Sequence, residues 1–182
     1  MMMRMLEAGG ITCLYDDVIP ADGYNPNGYY EYQPARTQQW DFLATADGKA
    51  VKLNERAPQL PDGYDYMVII MRRPIPECIA SWNALRATKE RPMERPEYAA
   101  RFASDREPLE PVEYGRFLQG HLDAIRTWAA DKPHIEVWFH DMIDNPIVES
   151  QRVARFLGQS LNFEAMQQVP TDALRHHNFG AD

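Results

Sequence analysis

The segment MVIIM, from Met67 to Met71, constrains the fold more than any other part of the chain. Its apolar residues are continuous rather than alternating, which is typical of a strand covered on both faces of a parallel sheet. Two arginines and a proline follow at once, and from Ile75 onward the apolar residues recur at helical spacing. This order predicts a strand that passes directly into a helix, as in an α/β protein with a largely parallel sheet flanked by helices.

The rest of the chain alternates between the same two patterns. Further helices are predicted before Gly9, over Pro34 to about Ala46, along a stripe from Leu118 to Ala129, and over about Pro146 to Leu157. Further strands are predicted over Ile11 to Tyr15, Lys49 to Leu53 and Ile135 to Phe139. His121 lies on the apolar face of the predicted helix that contains Leu118 to Ala129. This position favours a histidine packed in the core over a histidine that acts as a ligand. Residues 90 to 111 combine prolines with many charges, and we expect an irregular, lid-like excursion there.

Length and charge exclude several classes of protein. A chain of 182 residues predicts one domain over residues 1–182. Its formal net charge of -8 argues against general binding to nucleic acid or to an anionic membrane. The N-terminus lacks a signal-peptide pattern, and we expect a cytoplasmic protein. Cys13 and Cys78 lie in no disulfide or metal-binding spacing, and no metal is expected.

The chemistry is concentrated where the MVIIM strand ends. Arg72 and Arg73 follow the strand, and Ser81 lies on the next helix, eight residues after Arg73. Ligands of open α/β sheets bind beyond the carboxyl ends of strands, where a helix N-terminus favours anions. Arg73 and Ser81 are therefore candidates for holding a phosphate. In the alternative interpretation Arg73 pairs with a carboxylate such as Glu77, and Ser81 only caps or packs.

Five segments occur in an order that resembles the P-loop sulfotransferases, especially their bacterial branch: MMMRMLEAGGI, NPNGYYEY, GKAVKL, MVIIMRRPIPECIAS and HDMIDNPIVESQRVARFLG. The resemblance covers nearly the whole chain and implies a three-layer architecture. Arg73 and Ser81 match the arginine-x7-serine element with which that family holds the 3'-phosphate of 3'-phosphoadenosine 5'-phosphosulfate. The implied activity is transfer of a sulfuryl group from this donor to an acceptor hydroxyl or amine.

The chain departs from the family in two places. It contains no glycine- and serine-rich loop for the 5'-phosphosulfate, so we expect an N-terminally incomplete domain that lacks the first strand and that loop. Where many members have a lysine and a histidine separated by one residue, this chain reads Lys52, Leu53, Asn54, and Asn54 cannot act as a general base. Lys52 could hold a sulfuryl oxygen and Glu55 could act as the base, although both also fit solvated loop residues.

Other candidates and readings stay open. Arg175, beside His176 and His177, could contact a phosphate or belong to a frayed tail.

The first functional hypothesis is a sulfotransferase-like protein of poor activity. The second is a non-catalytic remnant that binds adenosine 3',5'-bisphosphate weakly or serves as an interaction module. A small-molecule kinase lacks support because the phosphate-loop lysine is missing. The acceptor, the general base and the oligomeric state are undetermined, with a homo-oligomer among the options.

Overall fold

The chain is a mixed α/β protein whose helices accompany two short sheets. The structure is a computed structural model that describes residues 1–16, 18, 21, 25, 27–87, 111–158 and 160–171. The helices are α1 Met2–Ala8, α2 Gln33–Arg36, α3 Ile75–Ala87, α4 Pro111–Ala129, α5 Phe139–Asp144, α6 Pro146–Leu157 and α7 Phe163–Met166. The strands are β1 Cys13–Leu14, β2 Ala50–Val51, β3 Val68–Arg72 and β4 His134–Trp138, and two 3-10 helices cover Trp40–Thr45 and Asn54–Gln59.

Both sheets are parallel pairs of strands. β1 pairs with β2, and β3 pairs with β4 in a register that runs from Val68 opposite His134 to Arg72 opposite Trp138. Parallel neighbours need a crossover connection, and here α3 and α4 lie between β3 and β4 in the chain. The parallel direction agrees with the prediction, and the described strands form two pairs. The carboxyl ends of β3 and β4 consequently meet at one edge.

The strand β3 is less covered than its continuous apolar sequence predicts. Ile70 is buried, whereas Met71 is exposed. Ile69 lies on the same face as Met71 and packs against the hydrophobic core, so the exposure is local to Met71 at the end of the strand. The prediction that the side chains of this strand are buried on both faces is therefore correct at Ile70 and wrong at Met71.

The largest hydrophobic core joins the two ends of the described chain. It is formed by α1, β4, α5, α6 and α7 through Met2, Met5, Leu6, Ile11, Val137, Met142, Val153 and Met166. A Cβ at Gly9 would lie 2.8 Å from the sulfur of Met166, so a larger residue at the end of α1 would force the Met166 side chain to shift. The core fixes β4, and with it the edge at which β3 ends.

Local signals explain which helices were predictable. The predicted helix over Pro146 to Leu157 is confirmed, with proline in its first turn and Gly158 in the left-handed conformation at its end. The predicted helix from Pro34 to Ala46 is wrong, because α2 ends at Arg36 and Gln38 has a positive φ of 57°. A separate 3-10 helix follows it.

Two predicted features fall on parts of the chain that the structure does not describe. The predicted excursion over 90 to 111 lies outside the described residues, apart from Pro111 at the beginning of α4. Arg175 lies outside them as well. Across the described segments, no helix has both the length and the apolar character needed to cross a membrane.

Candidate functional site

Two arginines and two aromatic rings meet at the carboxyl edge of β3 and β4. The register that pairs Arg72 with Trp138 brings the next residues, Arg73 and Phe139, into proximity. The guanidinium carbon of Arg72 lies 4.7 Å from the centre of the Trp138 ring, and that of Arg73 lies 4.8 Å from the centre of the Phe139 ring. Such cation–π contacts hold a guanidinium in place while leaving its N–H groups free to donate.

Arg72 is already neutralised within the fold. Its Nη1 and the guanidinium of Arg126 both bind the carboxylate of Glu136 on β4, and Arg126 does so through two hydrogen bonds of 2.5 and 2.8 Å. The hydrogen bond from Arg126 lowers the pKa of Glu136, and the contribution of Arg72 adds to this against the opposing effect of burial. Arg72 therefore ties β3 to β4 and is a poor candidate for binding a ligand.

Arg73 is oriented by a carboxylate on the following helix. Its Nε donates to Glu77 Oε2 at 3.0 Å, and Nε2 of His140 lies 2.8 and 2.9 Å from the two oxygens of Glu77. Burial raises the pKa of Glu77, but the hydrogen bonds from Arg73 and His140 outweigh burial and leave the pKa below its ordinary value. Glu77 is thus an anion at neutral pH. The Arg73–Glu77 pair is the alternative interpretation that the sequence left open.

One donor of Arg73 stays unsatisfied despite this pairing. Its Nη2 is buried and has no hydrogen-bond partner among the described residues. A buried polar group without a partner costs free energy, so each such group in a folded protein calls for an explanation. The ring of Phe139 is at best a weak acceptor and does not replace an oxygen. An anion at the edge of the sheet would supply the missing acceptor.

The beginning of α3 contributes few donors of its own. The N–H groups of Glu77 and Cys78 both donate to the carbonyl of Pro74, at 3.0 and 3.1 Å, and Pro76 has no N–H group. The N–H groups of these two residues are therefore already occupied at the N-terminus that the sequence predicts to favour an anion. An anion here would depend on the guanidinium of Arg73.

Ser81 lies on the same face of α3 as Glu77. The two residues are four positions apart on a continuous helix, and residues at this spacing are neighbours on the helix surface. Side chains on a helix lean toward its N-terminus, so the half-buried Ser81 leans toward the turn that carries Glu77. Glu77 binds Arg73, and the convergence of Arg73 and Ser81 on one anion stays a prediction.

Lys52 is held by a second charged cluster, at the end of β2. Its Nζ donates to the carbonyl of Tyr29 at 2.9 Å and to Oε1 of Glu31 at 3.1 Å. Glu31 is buried, and it also accepts from Asn54 Nδ2 at 3.4 Å and lies 3.9 Å from Nε of Arg36. Two of the three N–H groups of Lys52 are thus occupied, and one is left for another acceptor.

The remaining predicted residues add no geometry to the site. Glu55 lies in the 3-10 helix Asn54–Gln59, and its side chain is outside the described part of the structure, as is the whole of Arg175. Within the described ranges no group of three or more His, Cys, Asp or Glu side chains is arranged to hold a metal ion.

Sequence reasoning did not identify Phe139 and His140 as part of this edge. Both lie at the beginning of α5, directly after β4, and they reach Arg73 and Glu77 only because β4 is parallel to β3. The predicted strand that ended near Phe139 was a usable signal, because the carboxyl ends of neighbouring parallel strands share an edge.

Comparisons with known proteins identify no relative of this chain. A scan against protein-family models, a search of curated proteins and a search of solved structures each found no match to the chain.

Proposed function

We propose that the chain binds the 3'-phosphate of a 3'-phosphoadenosine nucleotide through Arg73 and Ser81, and that it is a sulfotransferase-like protein. The observation that carries the proposal is the buried, unpartnered Nη2 of Arg73 at the carboxyl edge of β3. A phosphate accepts charge-assisted hydrogen bonds from a guanidinium, which are among the strongest in proteins.

The neighbours of Arg73 give the proposed site its orientation. Glu77 takes the Nε donor, His140 contacts the same carboxylate, and Phe139 supports the guanidinium plane. These contacts leave Nη2 of Arg73 without an acceptor. They also fix the guanidinium before binding, which reduces the entropy lost when the ligand arrives.

In the proposed reaction an acceptor hydroxyl or amine would form a bond to the sulfur of 3'-phosphoadenosine 5'-phosphosulfate and lose a proton to a base. The bond between this sulfur and the oxygen that bridges it to the 5'-phosphate would break, and adenosine 3',5'-bisphosphate would leave. On the protein side, Lys52 retains one N–H group that could contact an anionic oxygen. Glu55 remains the proposed base on the strength of its position in the sequence.

A second candidate function, binding without catalysis, is favoured by the pairing of Lys52. Because Glu31 and the carbonyl of Tyr29 hold its ammonium group, Lys52 has less positive charge to offer to a transferring group. The chain would then bind adenosine 3',5'-bisphosphate and transfer nothing.

Calorimetric titration with adenosine 3',5'-bisphosphate tests the binding proposal. Arg73→Ala should weaken binding by about 1.5 to 3 kcal/mol, the scale of a charge-assisted hydrogen bond, and Ser81→Ala by about 1 kcal/mol. The control is Arg155→Ala, which removes one positive charge at an exposed position of α6 and should leave the affinity unchanged. Equal affinity of the wild-type chain and Arg73→Ala would refute the assignment.

A transfer assay separates the two candidate functions. The wild-type chain and Lys52→Ala are incubated with donor labelled in its sulfate and with a panel of phenols, sugars and amines. Transfer that Lys52→Ala abolishes, with nucleotide affinity retained, supports the sulfotransferase proposal. Nucleotide binding without any transfer supports the non-catalytic one.

A further inference from the structure

A basic cleft lies between the 3-10 helix Asn54–Gln59 and α4. Its volume is about 560 Å³. The polar and aromatic side chains that line it are Gln38, Arg56, Gln59, Arg116, Phe117 and His121. None of these described lining residues is acidic, although the chain has 27 acidic and only 19 basic residues. An excess of positive charge in one cleft of an acidic protein points to an anionic ligand.

The two arginines of the cleft differ in how they are held. Arg56 donates from Nε to the carbonyl of Arg36 at 3.2 Å, which fixes the direction of its guanidinium. Arg116 is exposed on α4 and forms no hydrogen bond or ion pair within the described part of the chain. A charged group with no internal role at the wall of a cleft is available to a ligand. Arg116 is therefore the main anion-binding candidate.

An aromatic wall formed by Phe117 and His121 lies beside Arg116. The centres of the two rings are 4.1 Å apart in an edge-on arrangement, and Nδ1 of His121 lies 2.9 Å from the carbonyl oxygen of Phe117. This contact fixes the imidazole and leaves Nε2 as its other polar atom. The sequence predicted His121 as a core residue, but the structure places it half-buried at the cleft wall.

We propose that this cleft is a second binding site, which takes an aromatic oxyanion: a planar ring that carries a phosphate, sulfate or carboxylate group. Arg116 binds the oxyanion, and Phe117 with His121 contacts the ring. The site is separate from the Arg73 edge and does not depend on the function proposed for that edge.

Gly120 provides a way to close the cleft without unfolding α4. A Cβ built at Gly120 meets no atom within 4 Å, and Gly120 itself lines the cleft. Leucine is also a better helix former than glycine. Gly120→Leu should therefore keep the fold and fill the site, and its melting temperature verifies the first point.

The experiment is a ligand-observed NMR titration of the full chain with phenyl phosphate. We expect saturable binding that Arg116→Gln weakens by about tenfold or more and that Gly120→Leu abolishes. Arg155→Gln, which removes one positive charge at an exposed position of α6, should leave the affinity unchanged. Binding that is unchanged in both cleft variants, or absent from the wild-type chain, overturns the proposal.

Two further arms locate the ligand and test the aromatic wall. Inorganic phosphate should bind at least about threefold more weakly than phenyl phosphate, because it lacks the ring that Phe117 contacts. Equal affinities overturn the assignment of an aromatic ligand. The loss of phenyl phosphate affinity caused by Arg116→Gln should be the same when Arg73→Ala is already present, because the two sites share no residue. Binding that Arg73→Ala abolishes and Arg116→Gln does not change would show that the ligand lies at the Arg73 edge instead.

Discussion

Glu31 and Glu77 are both carboxylates that bind basic side chains, but they affect the remaining N–H donors of those side chains differently. Glu31 is surrounded by Lys52, Asn54 and Arg36, so that several donors compete for one buried carboxylate. Glu77 takes one N–H of Arg73, whose Nη2 is left buried and without a partner in the described structure. The pairing with Glu31 uses donors of Lys52, whereas the pairing with Glu77 orients Arg73 and leaves one of its donors without an acceptor. Proximity of a lysine or arginine to a carboxylate therefore does not by itself decide whether it can bind a ligand.

The largest effect on stability should come from Glu31→Gln. This change leaves the half-buried Lys52 and the poorly exposed Arg36 without their shared counter-charge, and it should cost about 3 kcal/mol of unfolding free energy. Urea unfolding at neutral pH measures the loss.

The matched control for that change is Asp131→Asn. Asp131 also binds a lysine, Lys132, but its side chain is 81% exposed, so we expect a change of at most about 0.5 kcal/mol. Similar losses in the two variants would show that the Glu31 cluster is no more than a surface ion pair.

Glu77→Gln should have opposite effects on stability and on ligand binding. Loss of the charged acceptor of Arg73 and His140 should lower the unfolding free energy by about 1 to 2 kcal/mol. Removal of a negative charge beside the proposed phosphate should raise the affinity for adenosine 3',5'-bisphosphate by about threefold or more. Glu164→Gln, at an exposed position, is the calorimetric control. A weaker affinity in Glu77→Gln would mean that the charge of Glu77 is needed to position Arg73.

The stabilising effect of Glu77 should depend on pH in a defined direction. Its pKa lies below the ordinary value of 4.5, so its contribution to folding is complete above that pH and is lost as the pH falls through the lowered value. The difference in unfolding free energy between the wild-type chain and Glu77→Gln should be about 1 kcal/mol or more at pH 7. Urea unfolding between pH 7 and pH 3 should show this difference shrinking below pH 4.5. A difference that stays constant over the range would contradict the assignment to Glu77.

Local patterns predicted the parts of the fold that depend on short stretches of chain. The apolar run that ends at Met71 predicts β3. The helix α6 is predicted by Pro146 at its beginning and Gly158 after its end. The short helix α5 has no side-chain cap, and α7 has only the cap of Asn162, whose side chain accepts from the N–H group of Ala165. These two helices place Met142 and Met166 in the core, and this packing, rather than intrinsic propensity, accounts for their stability.

The same distinction holds at the two charged clusters. The Arg73–Glu77 pair was foreseen as an alternative because the residues are four positions apart at a strand-to-helix turn. The contact of His140 with Glu77 depends on strand pairing, and that of Lys52 with Glu31 depends on the packing of the loop before α2. Neither contact is visible in a local pattern, and so the sequence could not show which basic residues are occupied.

Substitutions at Asn54 separate backbone strain from hydrogen bonding. This residue has a positive φ of 52°, and its side-chain amide donates to Glu31 at 3.4 Å. Asn54→Ala loses this long hydrogen bond and places an alanine in the left-handed region, which should cost about 1 to 2 kcal/mol. Asn54→Gly loses the same bond but relieves the backbone, so it should cost only a few tenths of a kcal/mol, about the value of a weak hydrogen bond. Urea unfolding of both variants gives the difference, with Gln38→Gly as a second positive-φ position that lacks a bond to Glu31. Equal costs for alanine and glycine at Asn54 would assign the whole effect to the amide and make it a structural part of the Glu31 cluster.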